Sequence, residues 1–406
     1  MQRRNFIKHL SFLPAIPLVE SIRANQKDIK KRGKSAILLW MGGGPSSMDI
    51  WDLKPRAPTG GPFRPISTSG DLQICEHMPH MAKQMHNMAV IRSMSTSEAD
   101  HTRGSYYMHT GYKPNPTMEH PSYGAVVSHE LKPENLSIPP FISVGGNSLG
   151  GGFLGVRHAP FVVNSDGRIR NLNMKVDARF HQRAFALDVL EDNFINQNRG
   201  SMAKDHRDIL KQTFEVLTSE QMNALKVAEE PENVKERYGD NSFGKGCLMA
   251  RRLVEAGVPF VEVSLGGWDN HQNIFPTLKD TKLPMLDQGM SALIEDLEQR
   301  GLLQDTVIIW MGEFSRTPRI NGNAGRDHWA RSWSLAVGGG GMNTGIAIGK
   351  SNEDGTKVET TPYMSQDIMA SVCKALGIPL STTFTSKNGR PMKIANSGKI
   401  IGDLFS

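Results

Sequence analysis

Several short stretches of this sequence gather the residue types that bind metal ions or activate a nucleophile. Gly266-Gly267-Trp268-Asp269-Asn270-His271 carries a carboxylate and an imidazole two positions apart. In an extended loop both side chains then point to one side, and the neighbouring glycines leave room for an ion. Gly325-Arg326-Asp327-His328-Trp329 offers a second such pair, and Gly312-Glu313-Phe314-Ser315-Arg316-Thr317-Pro318 a further carboxylate. Oxygen and nitrogen donors without cysteine suit a divalent cation, Zn²⁺, Mn²⁺, Mg²⁺ or Ca²⁺, and the residue types do not choose among them. Arg316 and Arg326 flank these donors; a guanidinium fork matches the oxygens of phosphate or sulfate, and equally pairs with a structural carboxylate.

A second group lies upstream, in Arg92-Ser93-Met94-Ser95-Thr96, Asp100-His101-Thr102-Arg103-Gly104 and Thr110-Gly111. It offers hydroxyls for attack, His101 as base or ligand, and arginines for an anion. A helix cap by Thr96 or Ser97 is the alternative reading of the same hydroxyls.

These groups need a scaffold that brings them together, and the apolar pattern supplies one. Ser35 to Met41 is a continuous apolar run suited to a strand buried on both faces, and it opens into Gly42-Gly43-Gly44-Pro45, followed by Ser46, Ser47, Asp49 and Asp52. Helices are expected over His77 to Met88 and Ser122 to Leu131, with short strands over Ala89 to Arg92 and Phe141 to Val144. From residue 243 onward the order becomes regular: helix Phe243 to Ala256, strand Phe260 to Leu265, helix Leu283 to Arg300, strand Thr306 to Met311, strand Ser334 to Val337 and helix Ser365 to Leu376. This alternation predicts an α/β fold, a three-layer α/β/α sandwich with a mostly parallel sheet. In such a sheet ligands bind beyond the carboxyl ends of the strands, which is where the polar clusters fall. The segment from about 170 to 240 reads as a helical insertion.

Composition removes other classes. Of the net charge of +6, the first 34 residues carry +7 and the remainder −1, so the body lacks the distributed basic surface of a nucleic-acid binder. The longest apolar stretch, Leu10 to Val19, is interrupted by Pro14 and Pro17 and falls short of the roughly 18 residues of a transmembrane segment. Cys75, Cys247 and Cys373 are odd in number and form no C-x-x-C motif, so neither a disulfide framework nor a zinc knuckle is indicated. Residues 1–24, with Arg3 and Arg4, a short apolar run and Ser21-Ile22-Arg23-Ala24, are laid out like a twin-arginine signal peptide, and residues 25–34 read as a basic linker. The expectation is a periplasmic or otherwise exported protein whose main domain spans residues 35–406.

GGGPSSMDIWD, RSMSTSEADHTRGSYYMHTGY, GGWDNHQN, LIEDLEQRGLLQDTVIIWMGEFSRTP and GRDHW, spread over residues 36–349, resemble the domain of unknown function 1501 family of exported bacterial proteins. That family resembles the alkaline phosphatase and sulfatase superfamily, which implies an alkaline phosphatase-like fold. The resemblance further implies that Asp269, His271 and His328 share one metal, that Glu313 replaces an acidic ligand of a second, and that Asp49 is the carboxylate following the first strand. It also implies that His101 or a neighbouring hydroxyl, Thr102 or Ser95, falls near the superfamily's nucleophile, just before the Thr110-Gly111 pair. No C-x-P-x-R or S-x-P-x-R occurs, Phe314 stands where the superfamily has histidine, and glycines 42–44 replace its first aspartate.

Two functions are therefore expected. In the first, a metal-dependent hydrolase acts on a small-molecule or glycan sulfate or phosphate ester, with Arg316 or Arg326 stabilising the transferred oxygens. In the second, the same fold is a non-catalytic binding protein for anionic or sulfated glycans.

Overall fold

Strand alternation divides the molecule into layers. In the computed structural model, which describes residues 33–133, 136–169 and 219–405 with scattered positions between 170 and 218, the apolar run forms β1 (Ser35–Trp40), buried at every position. Ile37 and Leu39 enter one core, while Ala36, Leu38 and Trp40 enter the other, as the two-residue period of a strand dictates.

Eight strands make the central sheet. After β1 come β2 (Met88–Met94), β3 (Phe141–Val144), β4 (Phe161–Val163), β5 (Phe260–Ser264), β6 (Thr306–Met311), β7 (Trp333–Gly339) and β8 (Ala347–Ile348), in the spatial order β8-β2-β7-β6-β1-β5-β3-β4. β1 pairs in parallel with β5 and β6, β3 with β4 and β5, and β8 with β2. β7 alone is reversed, lying antiparallel to both β2 and β6.

Helices cover both faces. On the Ile37 side lie α1 (Pro79–Gln84), α5 (Ser242–Glu255) and α6 (Leu283–Gln299); on the Leu38 side lie α2 (His101–Thr110), α3 (Tyr123–Leu131) and α7 (Ser365–Leu376). A short α4 (Glu232–Tyr238) precedes α5. The expected three-layer sandwich with a mostly parallel sheet is therefore present. The helix expected over His77 to Met88 starts at Pro79, whose fixed φ suits a first turn, and gives way to a 3₁₀ turn, Met85–Asn87. The leader-like segment, the linker up to residue 32 and most of the 170–218 part of the insertion lie outside the described residues. Among the described residues, no helix is long and apolar enough to cross a membrane.

One charged group sits inside the sheet layer. Glu262, at the middle of β5, is fully buried; it faces His109 of α2, whose Nε2 lies 3.4 Å from Oε1, and accepts the Ser148 hydroxyl at Oε2. His109 Nδ1 is 2.8 Å from the Ser105 carbonyl. Burial alone pushes the His109 pKa down, and the facing Glu262 charge, the hydrogen bonds to Glu262 and the Ser105 carbonyl, and the Glu313 charge together more than offset this, so the group sits above its ordinary value. A raised histidine pKa stabilises the fold fully below the unfolded value of about 6.5 and loses that contribution as pH rises through the folded value. His109→Ala should leave an uncompensated buried carboxylate and lower stability by about 3 to 5 kcal/mol. Urea denaturation at pH 6 and pH 9 measures it, with the wild-type margin over the variant shrinking at the higher pH.

Candidate metal centre

Strand direction decides which loops meet. The segments following β1, β2, β5 and β6 all leave the same rim of the parallel sheet, as the crossover topology requires. Because β7 runs the other way, the segment preceding it arrives at that rim as well, bringing His328 with it. A two-residue antiparallel ladder, Ser315–Arg316 with His328–Trp329, sets His328 opposite Arg316.

Backbone bonds then lock the loops together. Trp268 N donates to Gly42 O at 3.2 Å, Arg326 N to Asn270 O at 3.0 Å, Thr317 N to Asp327 O at 2.7 Å and Thr96 N to Ala330 O at 2.8 Å. Two glycines permit the approach. Gly43 has φ +115° and a Cβ there would lie 2.5 Å from Asp269 N; a Cβ on Gly325 would lie 2.0 Å from the carbonyl carbon of His271. No side chain fits at either place.

The groups that converge are His101, Asp269, His271 and His328. His101, Asp269 and His328 each offer one ligand atom, all within 4.8 Å of one another. His271 Nε2 is 2.9 Å from Asp269 Oδ1 and 3.2 Å from His328 Nε2, while His328 Nε2 is 3.3 Å from Asp269 Oδ1 and His101 Nε2 is 3.3 Å from Oδ2. Each ring is fixed by its other nitrogen. His101 Nδ1 is 2.6 Å from Glu313 Oε1, His271 Nδ1 2.7 Å from Asp327 Oδ1, and His328 Nδ1 2.8 Å from the Ala99 carbonyl. The nearest rings are also backed by packing: Phe314 lies 5.0 Å from the His101 ring and 4.9 Å from that of His328.

Arg316 sets the charge balance. Its side chain is wholly buried, with Nη1 2.6 Å from Asp269 Oδ1. Nε donates to Gly44 O at 2.8 Å, and Nη2 donates to Gly43 O. Burial raises the Asp269 carboxyl, and the Arg316 charge, the Arg316 hydrogen bond and the neighbouring His101 and His271 together more than reverse this, leaving its pKa below the usual range. The hydrogen bond from His271 likewise depresses Asp327. His101 is pushed up, chiefly by its hydrogen bond to Glu313.

Several expected site residues are placed otherwise. Asp49 and Arg326 form a buried pair away from the cluster: Arg326 Nε lies 2.8 Å and Nη2 3.0 Å from the two Asp49 oxygens. Its remaining donors go to Thr59 O, Thr317 O and Pro318 O. All five N–H groups are thus engaged, and none is left for a substrate anion. Asp49 is therefore a structural partner rather than a ligand, because its oxygens face Arg326 and Ser46. Glu313 and Asp327 touch the Nδ1 side of a ring, which orients the imidazoles instead of joining the convergent set. Arg316 positions Asp269 rather than standing free for an anion. Thr102 follows His101 on the first turn of α2 and is exposed. The His109–Glu262 pair escaped the sequence reading, although a lone carboxylate inside the apolar run Phe260–Ser264 marks it.

Residues 33–405 match the family described as "protein of unknown function (DUF1501)", and the chain belongs to it. No curated protein matches the sequence. Among solved structures, alkaline phosphatase from the Antarctic bacterium TAB5 is 13% identical with a TM-score of 0.38, the alignment covering 85% of this chain and 98% of that one. A protein in the alkaline phosphatase superfamily from Vibrio parahaemolyticus is 11% identical at TM-score 0.37, covering 92% and 71%. A sulfatase from Pseudoalteromonas sp. is 12% identical at TM-score 0.37, covering 88% and 72%.

Two substitutions separate the clamp from the cluster. Arg326→Ala should cost about 3 to 5 kcal/mol of unfolding free energy by stranding the buried Asp49 carboxylate, read by chemical denaturation. Gly325→Ala should force the His271 peptide to move and weaken metal uptake, read by equilibrium dialysis against Zn²⁺, with a smaller loss of stability.

Proposed function

We propose that this member of the DUF1501 family is a metal-dependent hydrolase of sulfate or phosphate esters. The observation that carries the reading is the cluster of His101, Asp269 and His328, whose ligand atoms lie within 4.8 Å of one another, with His271 beside it 2.9 Å from Asp269 Oδ1 and each imidazole held at Nδ1 by an oxygen. Histidine ligands of metalloproteins are oriented in this way, through a carboxylate or carbonyl on the far nitrogen.

The residues fit an ion. His101 Nε2 is buried and makes no hydrogen bond, as a nitrogen reserved for a metal would. The 3.2 Å between the His271 and His328 nitrogens is close to the about 3.3 Å that separates two ligands of a tetrahedral ion with bonds of about 2.05 Å. His101, Asp269 and His328, whose ligand atoms lie within 4.8 Å of one another, would hold it, with His271 beside Asp269 as the fourth donor. Three imidazoles and one carboxylate favour Zn²⁺ or a neighbouring transition metal over Mg²⁺ and Ca²⁺, which prefer oxygen. Such an ion supplies Lewis-acid polarisation of an ester oxygen.

The chain's own groups prepare that chemistry. Arg316 fixes the Asp269 carboxylate, Glu313 holds the Nδ1 proton of His101 so that Nε2 keeps its lone pair, and Asp327 does the same for His271. Thr102, exposed one residue from His101, is the candidate hydroxyl nucleophile. Export rests on the paired arginines of residues 1–24. The sulfate or phosphate preference rests on the motif resemblance to the alkaline phosphatase and sulfatase superfamily.

The alternative, a non-catalytic binder of anionic or sulfated glycans, is favoured by one observation: the sequence contains no C-x-P-x-R or S-x-P-x-R from which a modified nucleophile is made. Turnover decides between the two. Zn²⁺-loaded protein should hydrolyse members of a panel of aryl sulfates and phosphate esters, and glycan binding without product would leave only the binder. His271→Ala should abolish both metal retention and turnover. Glu313→Gln should lower metal affinity about 10- to 100-fold, measured by competition with a chelating dye; unchanged affinity in both variants would refute the centre.

A further inference from the structure

Ester hydrolysis of this kind needs a cation that meets the anionic group, and the two arginines at the rim are occupied. Arg326 directs all its donors to Asp49 and backbone carbonyls. Arg316 holds Gly43 O, Gly44 O and Asp269. A third cation remains. Lys282 ends a single π-helical turn, Leu278–Lys282, immediately before α6. Such turns insert one extra residue and re-aim the side chain that follows, and they occur often at functional sites.

The side chain reaches back over the loop that carries Asp269. Its Nζ donates to Gly266 O at 2.7 Å, and a Cβ on Gly267 would lie 2.7 Å from the same nitrogen. Gly267 stands two residues before Asp269, at most about 7 Å of chain. The ammonium is half-buried, and its pKa is lowered by loss of hydration, with no neighbouring charge contributing. An ammonium has three donors, and Gly266 takes one of them. Among the described residues no carboxylate pairs with it, and holding a partly dehydrated cation without a counter-ion is unfavourable. A bound anion removes that cost.

On the reading of the site as an ester hydrolase, we infer that Lys282 is its oxyanion-recognising residue, taking an oxygen of a sulfate or phosphate group held beside Asp269. The chemistry shared by the two groups is a tetrahedral oxyanion, whose oxygens the remaining ammonium donors of Lys282 can take; a divalent cation held by His101, Asp269 and His328 would supply Lewis-acid polarisation of the same group. Gly266 and Gly267 are both exposed, so the approach to the ammonium passes over backbone without side chains. Lys282 is thus assigned to binding, separately from the four residues that hold the metal.

The test uses the full chain loaded with Zn²⁺, inorganic sulfate and inorganic phosphate as separate probes, and three variants. Lys282→Gln keeps a donor for Gly266 O and removes the charge; Lys282→Met removes both; Lys282→Arg restores the charge. Titration calorimetry should show the Kd of at least one oxyanion rising about tenfold or more in Lys282→Gln, with metal content and melting temperature unchanged and substantial recovery in Lys282→Arg. For a hydrolysed ester, KM should rise with Kd while kcat changes less. Which probe responds identifies sulfate or phosphate as the preferred group. Binding in Lys282→Gln equal to wild type, with loss confined to Lys282→Met, would make the residue a loop pin and overturn the inference; so would wild-type protein that binds neither probe at millimolar concentration. Lys282-dependent binding without turnover of any ester would leave the inference standing and remove the hydrolase reading alone.

Discussion

The Asp269 carboxylate is the point around which the rim is arranged. One of its oxygens lies within 2.6 Å of Arg316, 2.9 Å of His271 and 3.3 Å of His328, and the other lies 3.3 Å from His101. A single negative charge facing three imidazoles and a guanidinium cannot bind a cation unless the competing positive group is fixed. Arg316 is fixed by the Gly43 and Gly44 carbonyls. Its position is therefore a property of the turn after β1, and the carboxylate is held in place for the imidazoles to meet.

Around that point the structure separates two kinds of charged pair that look alike in composition. Asp49–Arg326 is sealed, with both partners buried and every guanidinium donor used; its work is to tie the segment after β1 to the loop before His328. Asp269–Arg316 is half open, with a buried guanidinium and a carboxylate whose side chain is 44% exposed. Geometry separates them: an arginine enclosed by carbonyls is mechanical, while a carboxylate that keeps an open face and shares it with imidazoles can exchange partners. Breaking the first costs folding energy by stranding a buried charge.

The imidazole orientations extend the same logic outward. Glu313 is almost completely buried and also accepts the Gly43 amide, so the ring of His101 inherits the rigidity of the turn after β1. His271 takes its orientation from Asp327, and Asn321 supports that loop by donating to the His271 carbonyl at 3.0 Å. Phe314, in the place where the resemblance led one to expect histidine, fills the floor beneath two rings; its ring lies against Gly44 and Gly104, which have no side chains to exclude it. Packing thus fills that position, and among the described residues no second group of three ligating side chains gathers there.

Much of this was legible in the amino-acid order. The apolar runs at 35–40 and 306–311, the helix at 365–376 and the alternation after residue 243 fix the sandwich, because strand and helix periods are local properties of the chain. The same holds for the loops that carry Asp269, His271 and Glu313, since polar residues directly after buried strands have nowhere to go but the rim. What tertiary structure alone decided is which carboxylate meets which cation. Spacing gave Asp49, Glu313 and Asp327 equal standing as ligands, and Arg316 and Arg326 equal standing as anion binders, because sequence distance says nothing about the direction in which a side chain leaves a folded loop. The reversal of β7 delivers His328, the Gly43 turn approaches Asp269, and Lys282 arrives from the start of a helix whose sequence shows only an amphipathic pattern. Pairings across 200 residues and more depend on loop paths through space, and those are set by the packed sheet and not by any local preference of the chain.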